Sequence, residues 1–120
     1  AVFQVKLIDF GLTKINEQLF GEEAMTSYSL TKGVGLDDFM SPEMMMQENY
    51  DNKTDVYSFG IVMYYIFVGR IPKQNATEKS KGIKIKLHKE SESISINCID
   101  LISKCLSFDP KDRPSFNEIY

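Results

Sequence analysis

Residues 54–68, Thr-Asp-Val-Tyr-Ser-Phe-Gly-Ile-Val-Met-Tyr-Tyr-Ile-Phe-Val, restrict what this chain can fold into more than any other stretch. Thr54 is a suitable helix N-cap, and the Asp55 carboxylate complements the positive end of the helix dipole. Gly69 is a natural stop, reinforced by Pro72. One helical face would carry Val56, Phe59, Gly60, Met63, Ile66 and Phe67, and the other Tyr57, Ile61, Tyr64, Tyr65 and Val68. A helix apolar nearly all round is either wrapped in protein or crosses a bilayer. The most apolar run, Phe59 to Val68, has ten residues, and a membrane span needs about 20. A central buried helix over about 54–68 is therefore predicted, with the rest of the chain packed around it.

The flanking sequence supplies more helices and little strand. Pro42 suits the first position of a short helix running to about Gln47, because its missing N–H is not needed there. A short helix is possible around Thr77–Gly82. From about Ser95 to Phe108 the helical period returns, with Cys98, Leu101, Ile102 and Cys105 on one stripe, and Asp109-Pro110 ends it. Ser115 and Glu118 have capping-box spacing and open a last helix. Val5-Lys6-Leu7-Ile8 predicts a short strand, and residues 12–40 read as a long loop of functional or mobile character. The fold class is mainly α, with a residual strand near residues 5–8.

Composition and charge narrow the function classes. An apolar fraction of 42% with 26% charged residues is that of a globular domain, not of a disordered chain. A net charge of −3 argues against nonspecific attraction to nucleic acid or anionic membrane. Lys79, Lys81, Lys84, Lys86 and Lys89 form a cluster with no aromatic residue interleaved, which reads as a solvated surface. His88 alone offers neither a metal site nor a proton relay. Cys98 and Cys105 are seven apart; on one helix that is about 10 Å, too far for a disulfide, so two buried free thiols are expected. No secretory signal is visible, and the expected location is cytoplasmic.

Four short motifs follow in order: Asp9-Phe10-Gly11, Ser41-Pro42-Glu43, Asp55-Val56-Tyr57-Ser58-Phe59-Gly60 and Arg113-Pro114. Asp-Phe-Gly alone is weak, but the ordered set resembles the second half of a eukaryotic protein kinase domain from about Val5 to Tyr120. The phrases around Asp55 and from Cys105 to Phe116 look most like the tyrosine-kinase-like branch of serine/threonine kinases. The implied architecture is the lower, helical lobe of that α+β fold. Residues 1–120 would run from the strand before Asp-Phe-Gly to the start of the last helix. The opening at Ala1 rather than Met agrees with a fragment.

The resemblance assigns roles residue by residue. Asp9 would chelate Mg²⁺, Gly11 would let the backbone turn, and Phe10 would pack beneath Asp9 and set its aim at ATP. Glu43 closes the activation segment and would pair with Arg113 under the floor on which peptide substrates dock. Asp55 would hold the catalytic loop, or act only as a helix-dipole carboxylate. With that loop absent, a buried Asp55 would lack donors. Thr13, Thr26, Ser27, Tyr28, Ser29 and Thr31 are candidate phosphorylation sites, or simply solvated hydroxyls. Leu36 stands where the family carries a threonine that bonds the catalytic aspartate. Leucine cannot make that bond. Either the parent is impaired or the match slips by one residue there.

No Gly-rich loop, no Val-Ala-Ile-Lys-like strand and no His-Arg-Asp loop occurs in the sequence. The chain holds one implied metal ligand and no catalytic base, so no catalytic residue is assigned. The expectation is a fragment of a serine/threonine kinase that moves the ATP γ-phosphoryl to protein hydroxyls, inactive by itself. The alternative is a noncatalytic, pseudokinase-like module that binds a scaffold or another kinase.

Overall fold

Helix α2, Lys53–Val68, is the spine of the structure, a computed structural model that describes residues 4–8, 37–46, 48, 51–72, 74, 76–81 and 94–120. It starts one residue before the predicted position. Its N-cap residue, Asn52, makes no side-chain cap bond. Asp51 does that work instead, accepting from the Lys53 N–H through Oδ1 at 2.8 Å. Thr54 lies inside the first turn, where its hydroxyl donates to the Asp51 carbonyl at 2.7 Å. At the other end Gly69 adopts the left-handed conformation (φ 76°) and returns its N–H to the Tyr65 carbonyl at 2.8 Å. Only a residue without Cβ takes that conformation freely, so Gly69 is the stop the sequence indicated.

The other described helices are α1 (Pro42–Met45), α3 (Ala76–Ser80), α4 (Ile96–Cys105) and α5 (Phe116–Ile119), with a single 3₁₀ turn at Pro110–Asp112. Each start has a legible cause. Pro42 begins α1. The Ser95 hydroxyl accepts from the Asn97 N–H at 3.3 Å and starts α4. The Asp109 carboxylate accepts from the Lys111 N–H at 2.9 Å and tightens the 3₁₀ turn. The Ser115/Glu118 capping box closes in both directions, as its spacing predicted.

Helix α4 packs on α2 across Tyr57, Ile61, Tyr64, Ile102 and Leu106, with Phe39, Met63, Val68 and Ile71 against that cluster. The close approach is made at Gly60, where an added Cβ would lie 2.8 Å from the Cys105 Cβ and 3.0 Å from Leu106 Cδ2. Helix α5 meets α2 through an edge-to-face pair, Phe59 and Phe116, with centroids 5.8 Å apart. Burial is one-sided along the last turns of α2. Tyr65 and Ile66 are 52% and 68% exposed, and Val62 and Phe67 are also exposed. The all-round apolar pattern thus yields a helix that is buried on the Val56, Tyr57, Gly60, Ile61 and Tyr64 side. No helix among the described residues is long and apolar enough to cross a membrane.

Two expectations are corrected. Residues 4–8 form no strand, and Val5, Leu7 and Ile8 are exposed. A strand exists only in a ladder with a partner, and the described residues offer none. Both cysteines are free and both lie on α4, but only Cys105 is buried; Cys98 is half-exposed. Burial pushes the Cys105 thiol up to about 11, so it stays protonated at neutral pH. The chain divides into two units, Ala1–Leu30 and Thr31–Tyr120, and every helix described here belongs to the second.

The tight contact at Gly60 carries a prediction. Gly60→Ala sets a new Cβ against the Cys105 Cβ and forces α2 and α4 apart, and overpacking of that kind costs about 1–3 kcal/mol. Urea denaturation should show the loss. A variant as stable as the wild type would contradict the packing described.

Candidate functional site

The described part of the candidate site is built on Arg113, which is 2% exposed and at the centre of the Thr31–Tyr120 unit's polar contacts. Local sequence delivers it there. Pro110 cannot extend α4, and the 3₁₀ turn it begins ends at Arg113. The carbonyls of Ser107 and Phe108 are thereby left outside helical hydrogen bonding. Arg113 takes both, from Nε at 2.8 Å and from a terminal nitrogen at 2.9 Å. Its other donors reach the Lys53 carbonyl at 3.1 Å and the two Glu43 carboxylate oxygens at 2.6 and 2.8 Å. A guanidinium has five N–H donors, and all five are used. The Lys53 ammonium in turn donates to the Arg113 carbonyl.

Glu43 is equally enclosed. It lies on α1 and is 4% exposed, directly after the helix-opening Pro42. Both its oxygens face Arg113, and the Thr54 hydroxyl stands 3.4 Å from Oε1. Burial pushes the carboxyl up, but the hydrogen bonds and charge of Arg113 outweigh it and hold Glu43 below its ordinary value of 4.5. The Tyr57 ring completes the enclosure, its centroid 5.0 Å from the guanidinium carbon. Burial pushes that phenol up to about 12, which keeps it neutral.

The structure brings Glu43 and Arg113 together and leaves Asp55 apart. Asp55 is exposed on the first turn of α2. It therefore bears no burial cost, contrary to the penalty anticipated for a carboxylate without its loop. Asp9, Phe10 and Gly11 lie outside the described residues. So do Thr13, Thr26, Ser27, Tyr28, Ser29, Thr31 and Leu36. Among the described residues no cluster of His, Cys, Asp and Glu could hold a metal.

Lys79 was misread from sequence. It is not part of a solvated lysine surface: it is 2% exposed. Its ammonium donates to the carbonyls of Asp37 and Asp38 at 2.9 and 2.7 Å, and more weakly to that of Met40 at 3.4 Å. A lysine among four other lysines gives no local sign of burial. The only hint was its position on a short helix, Ala76–Ser80, just after the central one.

The Glu43–Arg113 pair predicts an acid response. A carboxylate held low in the folded state contributes stability that is complete above its unfolded value and is lost as pH falls through its folded one. The urea midpoint should therefore drop as pH is lowered from 4.5. Glu43→Gln, weaker at pH 7, should show a shallower acid decline. Parallel declines would contradict the assignment.

Comparison with known proteins identifies the family. The family model described as the protein kinase domain matches residues 2–120. The dual specificity protein kinase shkC of Dictyostelium discoideum is 35% identical over 97% of this chain and 23% of its own length. The probable serine/threonine-protein kinase kinX of the same organism is 35% identical over 98% of this chain and 10% of its own length. A further probable serine/threonine-protein kinase from that organism is 33% identical over 96% of the chain and 12% of its own length. This chain spans about a tenth to a quarter of these relatives. It belongs to the protein kinase domain family.

Proposed function

We propose that residues 1–120 are the C-terminal part of a serine/threonine protein kinase catalytic domain, of the tyrosine-kinase-like branch. The protein containing them would transfer the γ-phosphoryl of ATP to hydroxyls of protein substrates in the cytoplasm. The observation that carries this reading is the Glu43–Arg113 pair with its five filled donors. It fixes the segment ending in Ser41-Pro42-Glu43 against α2, downstream of an Asp-Phe-Gly motif.

ATP and Mg²⁺ are the cofactors of this reading, with Asp9, Phe10 and Gly11 as the residues toward them. Asp9 would hold the Mg²⁺, which when bound would neutralise charge on the ATP phosphates. What the described residues contribute is position: Arg113 and Glu43 secure the end of the activation segment on which a protein substrate would dock. The sequence holds no His-Arg-Asp run, so the chain by itself is proposed to be inactive. The rival reading is a noncatalytic module, either the truncated domain or a degenerate parent carrying Leu36, that binds a scaffold or a kinase.

Phosphate transfer to histone and casein with Mg-ATP separates these readings. The full-length protein should transfer, its Asp9→Asn variant should fall to background, and residues 1–120 alone should remain there. No transfer by the full-length protein would favour the noncatalytic module. Transfer by residues 1–120 above an Asp9→Asn control would overturn the claim of inactivity.

A further inference from the structure

Four successive carbonyls, those of Asp37, Asp38, Phe39 and Met40, each accept from a side chain. Lys79 on α3 serves Asp37, Asp38 and Met40 at 2.9, 2.7 and 3.4 Å. The Ser58 hydroxyl on α2 serves Phe39 at 2.9 Å. Within this turn the backbone supplies one long bond, Met40 N–H to the Asp37 carbonyl at 3.3 Å. The turn leads directly into Ser41 and α1, and thus into Glu43. Its conformation is therefore dictated by donors from two other helices, chiefly by one ammonium.

The ammonium is well matched to that task. Lysine has three donors, and three carbonyls converge on Nζ. A buried ammonium is costly unless hydrogen-bonded, so the site tolerates no drift of the turn away from it. Nζ also stands 5.9 Å from the centroid of Tyr57, the ring that Arg113 approaches at 5.0 Å. Two cations beside one ring thus fix the two ends of the stretch 37–43. Burial lowers the Lys79 affinity for its proton, while the charges of Asp38 and Asp37 oppose that.

We propose that Lys79 is a positioning residue that sets the backbone of residues 37–40, so that this part of the activation segment presents a fixed surface to the protein substrate. The substrate half of the inference rests on the kinase reading above; the backbone half does not. Lys79 touches neither nucleotide nor acceptor in this proposal, and acts through the turn it holds.

Two measurements on the full-length protein test it. Lys79→Met keeps the length of the side chain and removes its donors, and Lys79→Arg keeps donors and charge. In hydrogen exchange, Lys79→Met should raise exchange over residues 37–46 about tenfold or more while α4 keeps its protection. Lys79→Arg should retain most of the protection. Unchanged exchange in Lys79→Met would overturn the proposal, and equal loss across α4 would reduce Lys79 to a general stability residue and overturn it too. In transfer to histone, Lys79→Met should raise KM for histone about tenfold with KM for ATP within about twofold. An equal effect on both substrates, or on kcat alone, would contradict a positioning role. A wild type that transfers nothing refutes the kinase reading, and hydrogen exchange still decides the assignment of Lys79.

Discussion

A single buried guanidinium organises the polar interior of the helical unit. Arg113 joins the carboxylate of α1, the first turn of α2 and the loop after α4, and it lies against the Tyr57 ring. Burying a charge is unfavourable in isolation, and a buried pair gives little net stability over an apolar substitute. What the pair imposes is an asymmetry. Removing one partner strands the other and costs about 3–5 kcal/mol, against a total for a domain of about 5–15 kcal/mol. The arrangement is thus hard to leave by halves, which suits a segment that must keep one conformation.

Helix α2 provides the frame for this. Thr54, Tyr57, Ser58 and Ile61 recur at the spacing of one helical face. Three of them meet the stretch 37–43 directly or through a cation: Thr54 at Glu43, Ser58 at the Phe39 carbonyl, and Tyr57 beside both Arg113 and Lys79. Gly60 then lets α4 approach, which brings Cys105 and Leu106 against α2. From Leu106 the chain runs on through the loop and the 3₁₀ turn to Arg113. Core packing and the ion pair are therefore one construction, since the contact at Gly60 determines where the loop carrying Arg113 begins.

Much of this was legible in the residues, and the failures have physical causes. The extent of α2, its glycine stop and the Ser115/Glu118 box are local signals carried by a few neighbouring residues, and they appear as read, whereas of the α4 stripe Ile102 and Cys105 are buried and Cys98 is half-exposed. The Glu43–Arg113 contact spans seventy residues and was reached only through the family resemblance, because no local pattern encodes it. Thr54 was misplaced as the cap, since Asp51 reaches the free N–H groups from one turn earlier. The strand at 5–8 failed because alternation measures propensity, whereas a ladder needs a partner. Lys79 was read as solvated because composition cannot show that three carbonyls wait for a cation.

Whether the pair truly links these segments, rather than merely occupying the same space, is measurable. A double-mutant cycle with Glu43→Gln, Arg113→Met and the double variant, followed by urea denaturation at pH 7, isolates their interaction. Coupling near the upper end of the usual range of about 0.5–3 kcal/mol is expected, with the double variant more stable than the sum of the single losses implies. Single losses that simply add would contradict the organising role assigned to Arg113.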